Sequence, residues 1–137
     1  MQSRFAAVLA AAALLSSSCG GIVDPSKNVT DTFNGVIPVQ GTAIPGHFFS
    51  TSKTGEYTVK VTALTPNNGV FFGTILSLST TDNTCIGNLQ IISQNSFGTI
   101  NTPVLGGAIY PGRYCVFLFD IGAFQVPETY TLTVSHP

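Results

Sequence analysis

The sequence predicts an all-β fold, an antiparallel sandwich of two sheets with seven or eight strands. Three observations predict it. Short apolar runs recur along the chain, and some alternate apolar with polar residues, as half-buried strands do. Turn-forming Pro, Gly, Asn and Asp residues stand between the runs. The 137 residues include 17 Thr, which is β-branched, with 14 Gly and 8 Pro, and no stretch has the period of an amphipathic helix.

The individual strands follow from this alternation. Tyr57, Val59 and Val61 alternate with polar residues, which is typical of a strand with one buried face. The run 114–119 is apolar at nearly every position and indicates a central strand buried on both faces. The expected strands are 33–40, 47–51, 57–62, 74–79, 89–93, 104–110, 114–119 and 129–134. A closed barrel is the alternative arrangement of the same strands.

The first 18 residues have the pattern of a signal peptide. Arg4 supplies a short positive region, and residues 5–15 form an apolar run. That run is shorter than the roughly 20 residues that cross a bilayer, but it fits the hydrophobic region of an export signal. Small residues, Ser16 to Ser18, then lead directly into Cys19.

This arrangement resembles the signal of bacterial lipoproteins. The resemblance implies cleavage before Cys19 and lipidation of its thiol and new amine with palmitate-like chains, which would anchor the protein to a membrane. Gly20 follows, and the resemblance implies that a residue other than Asp there permits sorting to an outer membrane where the cell has one. Ser16 stands where the lipoprotein motif usually has Leu. Cleavage by the ordinary signal peptidase, giving a secreted or periplasmic protein, is therefore the alternative.

The expected domain organisation has three parts. Residues 1–18 form the signal, and the polar, turn-rich residues 19–32 form a lipidated N-terminus and tether. Residues 33–137 form the sandwich. Export places the domain in an oxidising compartment, where Cys85 and Cys115 are expected to pair as a disulfide. Two cysteines 30 residues apart, without a second ligand pair, do not predict a zinc site.

Three segments also resemble strands of the bacterial pre-peptidase C-terminal domains, in the same order and spacing. Residues 55–61 (GEYTVKV), 111–117 (PGRYCVF) and 128–134 (ETYTLTV) match their patterns, and the likeness covers most of residues 33–135. It implies a jelly-roll-like sandwich that serves as an accessory or adhesion-type module without catalysis of its own. Residues 73–78 carry no acidic residue, unlike the middle strand of that family, so a calcium site of the family's kind is not expected.

The low charge of the chain excludes one class of function, nucleic-acid binding. Only 8% of residues are charged, and they are not clustered by sign, which excludes the basic surface that nucleic-acid binding needs. His47, Ser50 and Asp120 are the one conceivable catalytic triad, but nothing in the sequence aligns them. Four carboxylates lie at predicted strand ends or turns: Glu56, Asp82, Asp120 and Glu128. Exposure to solvent explains charged residues at such positions better than calcium ligation or a glycosidase pair does. No metal or cofactor is expected.

The sequence therefore predicts a non-catalytic binding or structural module of the bacterial cell envelope. Its expected binding patch is a set of loop-borne aromatic residues, Phe71, Phe72 and Phe124, for a protein or glycan partner that the sequence does not identify. The alternative for these phenylalanines is packing at the edge of the core. The alternative function is a secreted or periplasmic enzyme of the hydrolase type.

Overall fold

A computed structural model of the chain describes residues 24–79, 84–86 and 90–137, and these residues contain eight β-strands. A three-residue 3₁₀ turn, Pro25–Lys27, precedes the first strand. The strands are β1 (Val29–Ile37), β2 (His47–Thr51), β3 (Gly55–Thr65), β4 (Phe72–Leu78), β5 (Gln90–Gly98), β6 (Pro103–Ile109), β7 (Gly112–Phe119) and β8 (Glu128–His136).

The strands form two antiparallel four-stranded sheets, with the orders β1-β8-β3-β6 and β2-β7-β4-β5. This pairing of sequence-distant strands is the order of an eight-stranded jelly roll. The predicted all-β sandwich is therefore confirmed, and the barrel alternative is wrong because the strands divide between two separate sheets. Each sheet keeps two edge strands, so the sandwich has one open side at β1 and β2 and another at β5 and β6.

Period-two alternation explains why the two sheets pack together. Along β8, every second residue from Glu128 to His136 is buried, while the residues between them are partly exposed or exposed. The same alternation along β3 buries Tyr57, Val59 and Val61. Apolar side chains from both sheets thus meet in one core, whose burial is the main favourable contribution to folding.

Strand β7 is buried on both faces, as predicted for the run 114–119. Its inward side chains join the main core, whereas Cys115 and Phe117 point to the outer face and pack in a second cluster with Cys85. The disulfide between Cys85 and Cys115 is present, with Cα atoms 5.6 Å apart. It ties the connection between β4 and β5 to the outside of a central strand.

The connections define two ends of the sandwich. Short turns at 52–54 and 110–111 join the sheets at one end, where β1 begins and β8 finishes. We call this the lower end. The longer connections 38–46, 66–71, 99–102 and 120–127 lie at the opposite, upper end.

The domain begins earlier than the sequence predicts. Strand β1 starts at Val29 and pairs with β8 along its whole length, from Val29 opposite His136 to Ile37 opposite Glu128. The last four residues of the expected tether, 29–32, are thus part of the sheet. Their alternation is hidden in the sequence because β1 is an edge strand with one mostly exposed face. The signal peptide, Cys19 and Gly20 lie outside the described residues.

Candidate functional site

An apolar cleft opens between the edge strands β5 and β6 near the lower end, with a volume of about 430 Å³. Ile91 and Ile92 of β5 form one wall. Residues 108–111, at the end of β6 and in the turn after it, form the other. Leu76 and Tyr114 line its floor. Volume and apolar lining are both within the range of ordinary ligand sites.

Among the described residues, the cleft has few polar groups, and no charged side chain lines it. The hydroxyl of Tyr114 donates a hydrogen bond to the backbone carbonyl of Tyr110, 2.6 Å away, so its polarity is satisfied within the protein. Gln90 stands at the rim with an exposed side chain. An arrangement of this kind suits an uncharged apolar group, because a buried charge would lack a partner here.

The rim of the cleft is exposed as well as apolar. The exposed fractions are 56% for Ile91, 49% for Ile92 and 64% for Tyr110. Single exposed apolar residues are common on protein surfaces, whereas a contiguous group beside an apolar cleft indicates a contact surface.

The chain enters the sandwich at the same end as this cleft. The side-chain amide of Asn28 donates to the carbonyl of Glu56, 2.8 Å away, so the segment before β1 crosses the end of β8 and reaches β3. Glu56 pairs in turn with Ala108, which lines the cleft. The side chain of Asn28 therefore contacts β3, the strand next to β6, whose end forms one wall of the cleft.

A second, smaller cleft lies at the other open side, between β1 and β2, with a volume of about 180 Å³. His47 Nε2 lies 2.6 Å from the hydroxyl oxygen of Tyr130, and the imidazole stacks on Phe33 with ring centroids 4.8 Å apart. Burial lowers the pKa of His47 and raises the pKa of Tyr130 to about 12. Both groups are therefore neutral at pH 7 and form a structural contact between the sheets.

The conceivable triad of His47, Ser50 and Asp120 does not form. His47 and Ser50 are three residues apart on β2, so their side chains point to opposite faces. The carboxylate of Asp120 accepts hydrogen bonds from backbone N–H groups of two connections. Gln40 donates to Oδ2, and Gly122, Ala123 and Phe124 donate to Oδ1. Desolvation raises the pKa of Asp120, but these four donors outweigh it and hold the pKa below its usual value.

The other carboxylates are also separate from one another. Glu128 is buried at the start of β8 and accepts the N–H of Asn67, which closes the connection between β3 and β4. Glu56 is exposed at the lower end, and Asp82 lies outside the described residues. Among the residues that the structure describes, no three His, Cys, Asp or Glu side chains come together as a metal-binding group.

The expected aromatic patch is wrong for two of its three members. Phe72 is fully buried and Phe124 is 3% exposed, both within the main core. Phe71 remains exposed, because neighbouring residues entering a strand point to opposite faces. Its ring contacts Phe97 of β5, with centroids 6.4 Å apart and planes at 79°. Phe97 is 72% exposed. The exposed aromatic pair at the upper end is therefore Phe71 and Phe97.

Comparisons with known proteins support the architecture. No protein-family model and no curated protein matches the sequence. Among solved structures, the chain is similar to a mitogen derived from Yersinia pseudotuberculosis, with a TM-score of 0.53 and 15% identity over 80% of this chain and 87% of the mitogen. The likeness is one of fold. A periplasmic inhibitor of g-type lysozyme from Aeromonas hydrophila has a TM-score of 0.49 and 14% identity, over 80% and 89% of the two chains.

Among the residues described, there is no helix whose length and apolarity would carry it across a bilayer.

Proposed function

We propose that this chain is a non-catalytic binding module of the bacterial cell envelope, held at a membrane by lipid attached to Cys19. One observation carries the proposal: the N-terminal segment joins the sandwich at the lower end, while the Phe71–Phe97 pair is exposed at the upper end. A domain tethered at one end presents its other end to partners. The likeness of residues 1–19 to a lipoprotein signal supplies the anchor.

The roles of the polar groups support a module without catalysis. The carboxylate of Asp120 is occupied by four backbone donors, and that of Glu128 binds the Asn67 N–H. His47 is committed to its contact with Tyr130. The segments that resemble the pre-peptidase C-terminal domains lie mainly on β3, β7 and β8, and that family's accessory role agrees with this proposal.

We expect the partner at the upper end to be a protein. Aromatic side chains are enriched where proteins bind one another. The rings of Phe71 and Phe97 stand at 79° to each other, so they do not form the flat platform on which a sugar ring would stack. The mature chain from Cys19 carries four cations and six anions, and this low charge favours a contact with little salt dependence.

The anchor is tested in cells that produce the full chain. A clickable fatty acid should label the wild-type protein, and the protein should sediment with membranes. Cys19→Ala should abolish labelling and release the protein into the soluble fraction. The matched control is the double variant Cys85→Ala/Cys115→Ala, which removes the other two cysteines and should still be labelled. Labelling that survives Cys19→Ala would overturn the anchor.

The partner surface is tested by photo-crosslinking in intact cells. A photoreactive phenylalanine analogue at position 97 should crosslink to a discrete protein, and Phe71→Ser should weaken that crosslink. The control site is Ile44, which is 73% exposed and also lies at the upper end, but on the opposite open side. Equal crosslinking from positions 44 and 97 would contradict a specific surface at the aromatic pair.

A further inference from the structure

We propose that the lower end of the sandwich, with the apolar cleft between β5 and β6, docks on the bilayer, so that Ile91, Ile92 and Tyr110 enter the boundary between lipid headgroups and acyl chains. This inference rests on the lipid anchor of the proposed function. It assigns the cleft a partner, the apolar region of a membrane. The upper end then faces away from the lipid.

The length of chain before the sandwich brings this end to the membrane. Residue 24 is the first described residue, and four residues, 20–23, separate it from Cys19. Five peptide steps span at most about 18 Å. The side chain of Asn28 then bonds to Glu56 of β3, and Val29 pairs with His136, so the chain enters the sandwich at the lower end, where the cleft also lies. An anchor in the bilayer therefore holds the cleft end within reach of the lipid surface.

The chemistry of the rim matches that boundary. Ile91 and Ile92 present aliphatic side chains, and Tyr110 presents an aromatic ring with a polar hydroxyl. Tyrosine is enriched at membrane interfaces because its ring is apolar and its hydroxyl remains hydrated. The described residues that line the cleft are uncharged, so they carry no charge that would have to be desolvated against acyl chains.

The charges around the lower end also fit a membrane surface. Three of the four cations in the described chain lie there: Lys27 before β1, Lys53 between β2 and β3, and Arg113 at the start of β7. No carboxylate of a described residue lies within ion-pair distance of them, so they remain available to lipid phosphates. Asp24, Asp31 and Glu56 lie at the same end and balance these three cations, so the apolar rim makes the larger contribution to membrane binding.

Two tryptophan probes test the orientation, because the chain contains no tryptophan of its own. Tyr110→Trp places a fluorophore at the rim, and Phe97→Trp places one at the upper end. Their parent side chains are 64% and 72% exposed, so neither substitution disturbs the core. The full-length lipidated variants are reconstituted into phosphatidylcholine vesicles with brominated acyl chains, and fluorescence quenching is measured.

The rim fluorophore should be quenched at least about twofold more strongly than the upper one, because interfacial side chains reach roughly 5–10 Å into the headgroup–acyl boundary. Adding Ile92→Asn should reduce the quenching of Tyr110→Trp. Ile44→Asn is the matched control, since Ile44 is exposed but distant from the cleft, and it should change nothing.

Vesicle flotation separates this inference from the proposed function. If the protein floats with the vesicles but the two fluorophores are quenched equally, or neither is quenched, the lipid anchor is supported and the docked orientation is wrong. Iodide in the aqueous phase serves as a second quencher. If neither brominated lipid nor iodide quenches the rim fluorophore, a protein or a second copy of the chain covers the cleft, and the docked orientation is again wrong. A chain that carries no lipid and does not float contradicts both proposals.

Discussion

His47 Nε2 and the hydroxyl oxygen of Tyr130 lie 2.6 Å apart and join the two sheets of the sandwich. His47 belongs to β2, and Tyr130 belongs to β8. These strands are in different sheets, and the residues are 83 positions apart in the chain. The contact bridges the sheets at the side of β1 and β2, where the cleft is small, while the side at β5 and β6 has the larger, apolar cleft.

This contact predicts that stability falls in mild acid. Burial lowers the pKa of His47 below its value in the unfolded chain, about 6.5. As the pH falls below about 6.5, the unfolded chain binds a proton that the native protein does not, so the free energy of unfolding decreases. Urea unfolding at about pH 7.5 and about pH 5 should show this loss, and His47→Gln should reduce it. An unchanged pH dependence in His47→Gln would contradict the assignment.

Asp120 should be the most sensitive residue of the upper loops. Asp120→Ala removes the acceptor of four backbone N–H groups, and we expect the free energy of unfolding to fall by about 3 kcal/mol. Asp120→Asn should cost less, because one amide oxygen remains to accept. The carboxylate's contribution should fade as the pH drops below about 3.9, since its pKa is lowered in the native protein. Denaturant unfolding of the three proteins measures this order, and equal stability of all three would contradict it.

The aromatic residues show how far the sequence predicts the site. Each of the eight strands overlaps a strand predicted from the sequence, and alternation marks the half-buried strands β3 and β8 most clearly. The predicted strand 89–93, however, ends before Phe97, since the polar residues 94–96 resemble a loop. Strand β5 in fact runs to Gly98. The sequence does not show which of Phe71 and Phe72 points inward, because that depends on how the strands pair. A contact between residues far apart in the chain, such as His47–Tyr130, likewise has no local pattern in the sequence.

Phe124 and Phe97 should respond differently to the same substitution. Phe124→Ser empties a core position that is 3% exposed and should lower the free energy of unfolding by about 3–5 kcal/mol. Phe97→Ser removes a ring that is 72% exposed, so it should change the free energy of unfolding by no more than about 0.5 kcal/mol. Thermal and denaturant unfolding of both variants checks the contrast. Comparable losses would show that Phe97 also belongs to the core.

Thr74 offers a stabilising substitution. Its side chain is fully buried, and its Oγ1 has no hydrogen-bond partner among the described residues. Thr74→Val replaces that hydroxyl with a methyl group and should raise the free energy of unfolding by about 1 kcal/mol. Thr74→Ser is the control, because it keeps the hydroxyl, loses the methyl and should destabilise by about 1 kcal/mol. A less stable Thr74→Val variant would reveal a partner for the hydroxyl, such as a bound water.

The N-terminal peptide of the mature protein tests the central claim most directly. Trypsin cleaves after Lys27, so a chain processed before Cys19 releases residues 19–27 as its first fragment. Mass spectrometry of protein extracted from the envelope should find that fragment with a diacylglyceryl group on the Cys19 thiol and a fatty acyl chain on its amine. An unmodified fragment, or an N-terminus at another residue, would contradict the account of a lipid-anchored module.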